Sequence, residues 1–205
     1  MPGPRTLGGV TIRTVSEAQA NTKRDFARIP STMDEMTTLL RRVPGWHAYY
    51  LGVCRSLALR SKDPATQIGC VIVGPAHEIR STGYNSFPRG IHDTVPERLE
   101  RPEKYLWIEH AERNAIYNAA RAGTALQGCT IYVEVTPCMD CARAIVQAGI
   151  ARVIVDADRM RQYSSKRYDE EFKKVKVLFK EAGIKMEVIS GQGPGLKRSD
   201  KRTAV

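Results

Sequence analysis

Hydrophobic and polar positions change period several times along the chain, and each change predicts an element. Over Trp46–Arg60 (WHAYYLGVCRSLALR), Tyr50, Val53, Cys54, Leu57 and Leu59 recur at helical spacing, so this stretch reads as the first core helix. Ser61-Lys62-Asp63-Pro64 ends it. Gln67–Gly74 (QIGCVIVG) is short, apolar and β-branched, a strand; Glu78–Tyr84 reads as a second strand, and the short link predicts a hairpin. Asn85–Tyr105 is polar, contains three prolines and has no period; a loop of this length in a compact domain marks function. His110–Arg121 is an Ala-rich helix closed by Gly123, and Cys129–Val135 is a third strand. Cys138–Ala148 is a helix that starts after Pro137 and stops at Gly149. Arg152–Val155 is a fourth strand, Asp156–Arg167 a polar connection, Tyr168–Ala182 a helix capped by Gly183, and Ile184–Ile189 a fifth strand.

The order α-β-β-α-β-α-β-α-β predicts an α/β fold. Strands separated by helices should run parallel through crossovers, giving a three-layer α/β/α domain with a mixed five-stranded sheet over 46–189. Residues 1–45 read as an N-terminal extension, partly disordered or forming one short helix: 1–30 lack a period and read as loose or lightly docked, and Ser31–Arg42 could make a helix capped by Ser31 or Thr32 and broken by Pro44-Gly45. Residues 190–205 are Gly-rich and basic, a tail.

Composition narrows the class. At 205 residues, 42% apolar and 26% charged, the chain suits one globular domain with tails; collagen, coiled-coil arrays and wholly disordered chains are excluded. Nothing approaches the ~20 apolar residues of a membrane helix, and MPGPRTLGG lacks a signal-peptide core, so a cytoplasmic protein is expected. The net charge of +10 is uneven: +3 over 1–45, +1 over 46–160 and +6 over 161–205. The basic C-terminal end suits a solvated helix face and tail, or nucleic acid, or a polyphosphate ligand. Five cysteines, an odd number, argue against a disulfide framework; Cys54, Cys70 and Cys129 fall in apolar runs as small buried side chains.

Cys138 and Cys141 differ, because they share one face of a helix's first turn. If the helix starting at His110 begins beside them, two thiolates and an imidazole meet. Three such ligands leave one tetrahedral position of a zinc ion open, as in catalytic sites. Glu112, two residues beyond His110, is then placed to accept and return a proton. His110-Ala111-Glu112 and Pro137-Cys138-Met139-Asp140-Cys141 together spell H-x-E…P-C-x-x-C, the recognised signature of zinc deaminases. Other readings are a redox CxxC, a structural zinc with a fourth ligand such as His92, and a Glu112 that only caps backbone amides.

These residues resemble the cytidine deaminase superfamily, and within it the deoxycytidylate deaminases. The resemblance runs from about Trp46 to Ile189 through RSKDPATQIGCVIV, GYNSFPRG, HAERNAI, GCTIYV and TPCMDCARAIVQAGI. It implies a cytidine-deaminase-like fold with the last two strands parallel, and zinc-dependent deamination of dCMP to dUMP and ammonia, which feeds thymidylate synthesis. Carried over, His110, Cys138 and Cys141 would hold one zinc ion, and Glu112 would shuttle protons. The Ala111 N–H would meet the pyrimidine O2, the Thr136 carbonyl the leaving amine, and Asn85 the deoxyribose. Lys62 and Arg89 are the candidate phosphate ligands. A homo-oligomer, hexamer or dimer, is implied, with dCTP and dTTP as effectors and Mg2+ accompanying the triphosphate. The chain departs from the family pattern at Ser86, where glycine usually follows Gly-Tyr-Asn, and its long loop has no cysteine for a second zinc. Rival readings are deamination of a 5-substituted dCMP or dCTP, deamination of a base in tRNA or single-stranded nucleic acid, and a non-catalytic zinc module, against which the retained Glu112 argues.

Overall fold

The structure is a computed structural model that describes residues 6–7, 10–11, 32–34, 44–163 and 166–190. The chain divides into two compact units, 1–43 and 44–205. Within the first, Thr6–Leu7 pairs antiparallel with Val10–Thr11. Most of the helix expected over Ser31–Arg42, and the tail from 191 onward, lie outside the described residues.

The second unit is built on one sheet. Its helices are α1 (Trp46–Ala58), α2 (Lys104–Trp107), α3 (Ala111–Ala122), α4 (Met139–Gln147), α5 (Ala157–Gln162) and α6 (Lys166–Glu181). Its strands are β1 (Gly69–Val73), β2 (Ile79–Tyr84), β3 (Thr130–Val133), β4 (Arg152–Asp156) and β5 (Lys185–Ile189), in the order β2-β1-β3-β4-β5. β1 is antiparallel to both neighbours, whereas β3, β4 and β5 are parallel. β2 and β3, separated in sequence by α3, therefore point the same way on either side of β1.

Alternation along the strands sorts side chains to two faces. Cys70, Ile72, Ile131, Val133, Val153 and Val155 pack under the alanines of α3 and against Ile145 of α4 and Val175 and Phe179 of α6. Val71, Val73, Tyr132 and Ile154 point to the other face and meet Tyr50, Leu51 and Cys54 of α1. This is the three-layer arrangement expected. Among the described residues, no helix is long and apolar enough to cross a membrane.

Three local expectations change. Leu59 is exposed, and α1 buries Tyr50, Leu51, Cys54 and Ala58 instead, because the helix ends at Ala58 and leaves Leu59 beyond its buried face. The loop at Asn85–Tyr105 contains a 3-10 turn over Pro96–Leu99 and the start of α2. The polar connection after β4 holds α5, whose first amides, Asp158 and Arg159, donate to the capping carboxylate of Asp156. Ser86 replaces glycine without strain: His77 is the one non-glycine with positive φ among the described residues, and Ser86 pairs with Glu109 through both backbone groups.

Candidate active site

Two helix starts make the site. His110 is the N-cap of α3 and Cys138 the N-cap of α4, and these helices pack against each other. His110 Nδ1 lies 3.4 Å from Cys138 Sγ and 3.5 Å from Cys141 Sγ. All three donor atoms lie within 4.8 Å of one another, and no other described histidine, cysteine or carboxylate joins them. A tetrahedral zinc with bonds of about 2.05 Å to nitrogen and 2.3 Å to sulfur separates those atoms by about 3.6 Å. The donor set and its spacing thus fit zinc with one position left for a further ligand. His92 is not part of the group, so the four-ligand structural site finds no support here.

Hydrogen bonds among the three groups link their proton affinities. A hydrogen bond from Cys141, and then one from His110, holds the Cys138 thiol down to about 4. The hydrogen bond to Cys138 in turn raises His110 to about 9, while Cys141 is pushed up by the same partner and by burial. One thiolate is thus favoured, with the raised imidazole as the cation beside it. Glu112 is buried, and that burial raises its carboxyl above the ordinary value, toward holding a proton.

A cleft opens over this group. His110, Ala111, Glu112, Thr136 and Cys138 line one side, with Ile68, Val135 and Ile108 as apolar wall and Asn85 and Thr66 beside them. Ala111 opens α3, so its N–H lacks an intrahelical acceptor. Asn85 is buried; its Oδ1 accepts from Ile68 N at 2.8 Å and its Nδ2 donates to the Thr66 carbonyl at 2.7 Å. Its side chain thereby shapes the wall it belongs to.

Lys62 and Arg89 lie outside this cleft. Lys62 pairs with Asp93 at 2.8 Å, and Arg89 donates to Asn118. The cations that do line the cleft are Lys104 and Arg101. Lys104 is buried and reaches both oxygens of buried Asp63, at 3.0 and 2.7 Å. Asp63 also accepts from the amides of Ala65 and Thr66, so the pair ties the loop after α1 to α2. Arg101 is exposed and has no ion-pair partner among the described residues. The aperiodic loop had flagged this region; no local signal says which of its cations turns inward.

Residues 44–157 match the model of the cytidine and deoxycytidylate deaminase zinc-binding region. Over 146 residues the chain is 38% identical to the deoxycytidylate deaminase of Mus musculus, covering 68% of this chain and 76% of that protein. The deoxycytidylate deaminase of Homo sapiens is 37% identical over 144 residues, with the same coverage. The dCMP deaminase of cyanophage S-TIM5, solved in complex with dCMP and dUMP, shares the fold: TM-score 0.55, 21% identity, 69% of this chain and 94% of that one.

Proposed function

The chain belongs to the cytidine and deoxycytidylate deaminase family, and from that premise we propose that it hydrolyses dCMP to dUMP and ammonia. The observation that carries the reading is the zinc-type donor triad beside a buried carboxyl group, in a cleft also lined by Arg101, which has no ion-pair partner among the described residues. His110, Cys138 and Cys141 would hold zinc, which would supply the Lewis acidity that makes water a nucleophile near neutral pH. Glu112, as carboxylate, would take one proton of the attacking water to N3 of the ring and then carry the second, from the new C4 hydroxyl, to the amine, which leaves as ammonia; its burial favours the protonated form in which it makes each delivery. The Ala111 N–H donates to O2 of the base, and the Thr136 carbonyl accepts from the amino group. Asn85, fixed by its bonds to Ile68 and Thr66, presents its remaining amide hydrogen to the sugar. Arg101, rather than Lys62 or Arg89, meets the 5′-phosphate.

Ammonia release tests this, with zinc measured on the same sample. The substrates are dCMP, 5-methyl-dCMP, dCTP, CMP, deoxycytidine and a short single-stranded oligonucleotide. Turnover of dCMP is expected, and Glu112→Gln should lower it by about 10²–10⁴-fold with zinc retained. Arg101→Gln should raise KM for dCMP and leave deoxycytidine unchanged. Repeating the assay with dCTP or dTTP and Mg2+ tests the expected effectors. Activity on the oligonucleotide alone would overturn the free-nucleotide reading.

A further inference from the structure

The His-bearing and Cys-bearing helix starts are joined on their outer side by one side chain. Arg113, on the first turn of α3, is four-fifths buried. Its Nε donates to Glu109 Oε1 at 2.5 Å, and its Nη2 also contacts that carboxylate. Glu109 immediately precedes His110, and the same oxygen accepts the His110 backbone N–H at 3.1 Å. Both backbone groups of Glu109 are pinned to Ser86, so this carboxylate has a fixed origin. From the other end of the guanidinium, Nη1 reaches Asp140 Oδ2 at 3.4 Å. Asp140 lies between Cys138 and Cys141 in the sequence. A carboxylate–guanidinium–carboxylate bridge therefore runs from the residue before the imidazole ligand to the residue between the two thiolate ligands.

We infer that Arg113 is a positioning residue for the metal: it sets the spacing of the imidazole and thiolate donors and so sets zinc affinity. This rests on the family reading that those three residues hold zinc. Arginine suits the task because its planar fork engages two carboxylates at fixed angles, which the single ammonium of lysine cannot do. Partners of this kind typically change metal affinity by 10–100-fold.

The test measures zinc affinity by competition with a chromophoric chelator, and the absorption of the cobalt(II)-substituted chain, which reports ligand geometry directly. Arg113→Gln is expected to weaken zinc binding by roughly 10–100-fold and to shift the cobalt bands. Arg113→Lys should recover only part of the loss. Asp140, whose other oxygen pairs with Arg143, is the more exposed end of the bridge, so Asp140→Asn should weaken binding less than Arg113→Gln, and its effect should shrink when Arg113 is already glutamine. Parental zinc affinity and cobalt bands in Arg113→Gln would overturn the inference even if its melting temperature fell, because that outcome leaves Arg113 a purely structural ion pair. A parental chain that binds no zinc would overturn the metal reading beneath it.

Discussion

Gly83 on β2 lies directly under the helix that carries His110 and Glu112. A Cβ built there would stand 2.3 Å from the carbonyl oxygen of Ala111, 2.5 Å from the amide nitrogen of Ala115 and 3.0 Å from its Cα. Ordinary contact begins near 3.4 Å, so Gly83→Ala must lift the start of α3 off the sheet by about 1 Å. The obstructing atoms are helix backbone, so no rotamer change can relieve the clash. Overpacking of this kind costs about 1–3 kcal/mol. For a domain of this size the loss lowers Tm by roughly 3–10 °C. The larger effect falls on chemistry. α4 is not pushed, so the imidazole moves relative to the two thiols, and Glu112 moves relative to the bound base. A misplacement near 1 Å costs on the order of 100-fold in rate. Differential scanning fluorimetry, zinc stoichiometry and steady-state ammonia release would read the three consequences. Gly52→Ala is the control: nothing lies within 4 Å of its Cβ position in the middle of α1, and helix propensity should add about 1 kcal/mol of stability. A Gly83→Ala protein with parental Tm, zinc content and kcat, beside a Gly52→Ala protein that is stabilised, would refute the argument.

Lys104→Met should cost about 3–5 kcal/mol by urea unfolding, because it strands the Asp63 carboxylate in a buried site. Adding Asp63→Asn should recover part of that, since asparagine keeps the acceptor for the Ala65 and Thr66 amides without the charge. Glu134 gives a pH signature. It is buried, bonded to the Gly69 amide at 2.8 Å and to Arg159 Nε at 3.0 Å, yet burial raises its carboxyl above the ordinary 4.5. A group raised in the folded state stabilises the fold below its unfolded value, and that contribution is lost as pH rises through the folded value. The Tm difference between Glu134→Gln and the parent should therefore move in favour of the glutamine variant as pH climbs above 4.5; a flat difference would contradict the assignment.

The donor cluster of His110, Cys138 and Cys141 was legible because each half of it is local. A C-x-x-C at a helix start presents both sulfurs on one turn whatever the rest of the chain does, and His110-Ala111-Glu112 likewise fixes an imidazole and a carboxylate two residues apart. The sheet was legible for a similar reason. Short β-branched runs alternating with long helical periods admit few arrangements, and the strand order β2-β1-β3-β4-β5 follows the hairpin and the crossovers. What escaped was of two kinds. α5 has only six residues, mostly polar, and buries none of them, so no hydrophobic period announces it; its signal was the Asp156 cap, visible only once the chain turns off the sheet there.

The basic residues escaped for a deeper reason. Lys62, Arg89, Arg101 and Lys104 look alike along the chain, each a cation in or beside a loop. Lys62 finds Asp93 and Arg89 finds Asn118, away from the cleft, while Lys104 is drawn inward by Asp63 and leaves Arg101 at the cleft's edge. Those pairings join residues as many as 41 positions apart. The same holds for the bridge from Glu109 through Arg113 to Asp140. By itself the sequence determined which elements form and which atoms could bind a metal, because both follow from spacing within one turn or one strand. Which charges face the cleft and which clamp the two helix starts together was decided only by tertiary structure, because a charge takes the nearest available partner in space and local spacing says nothing of where that partner lies.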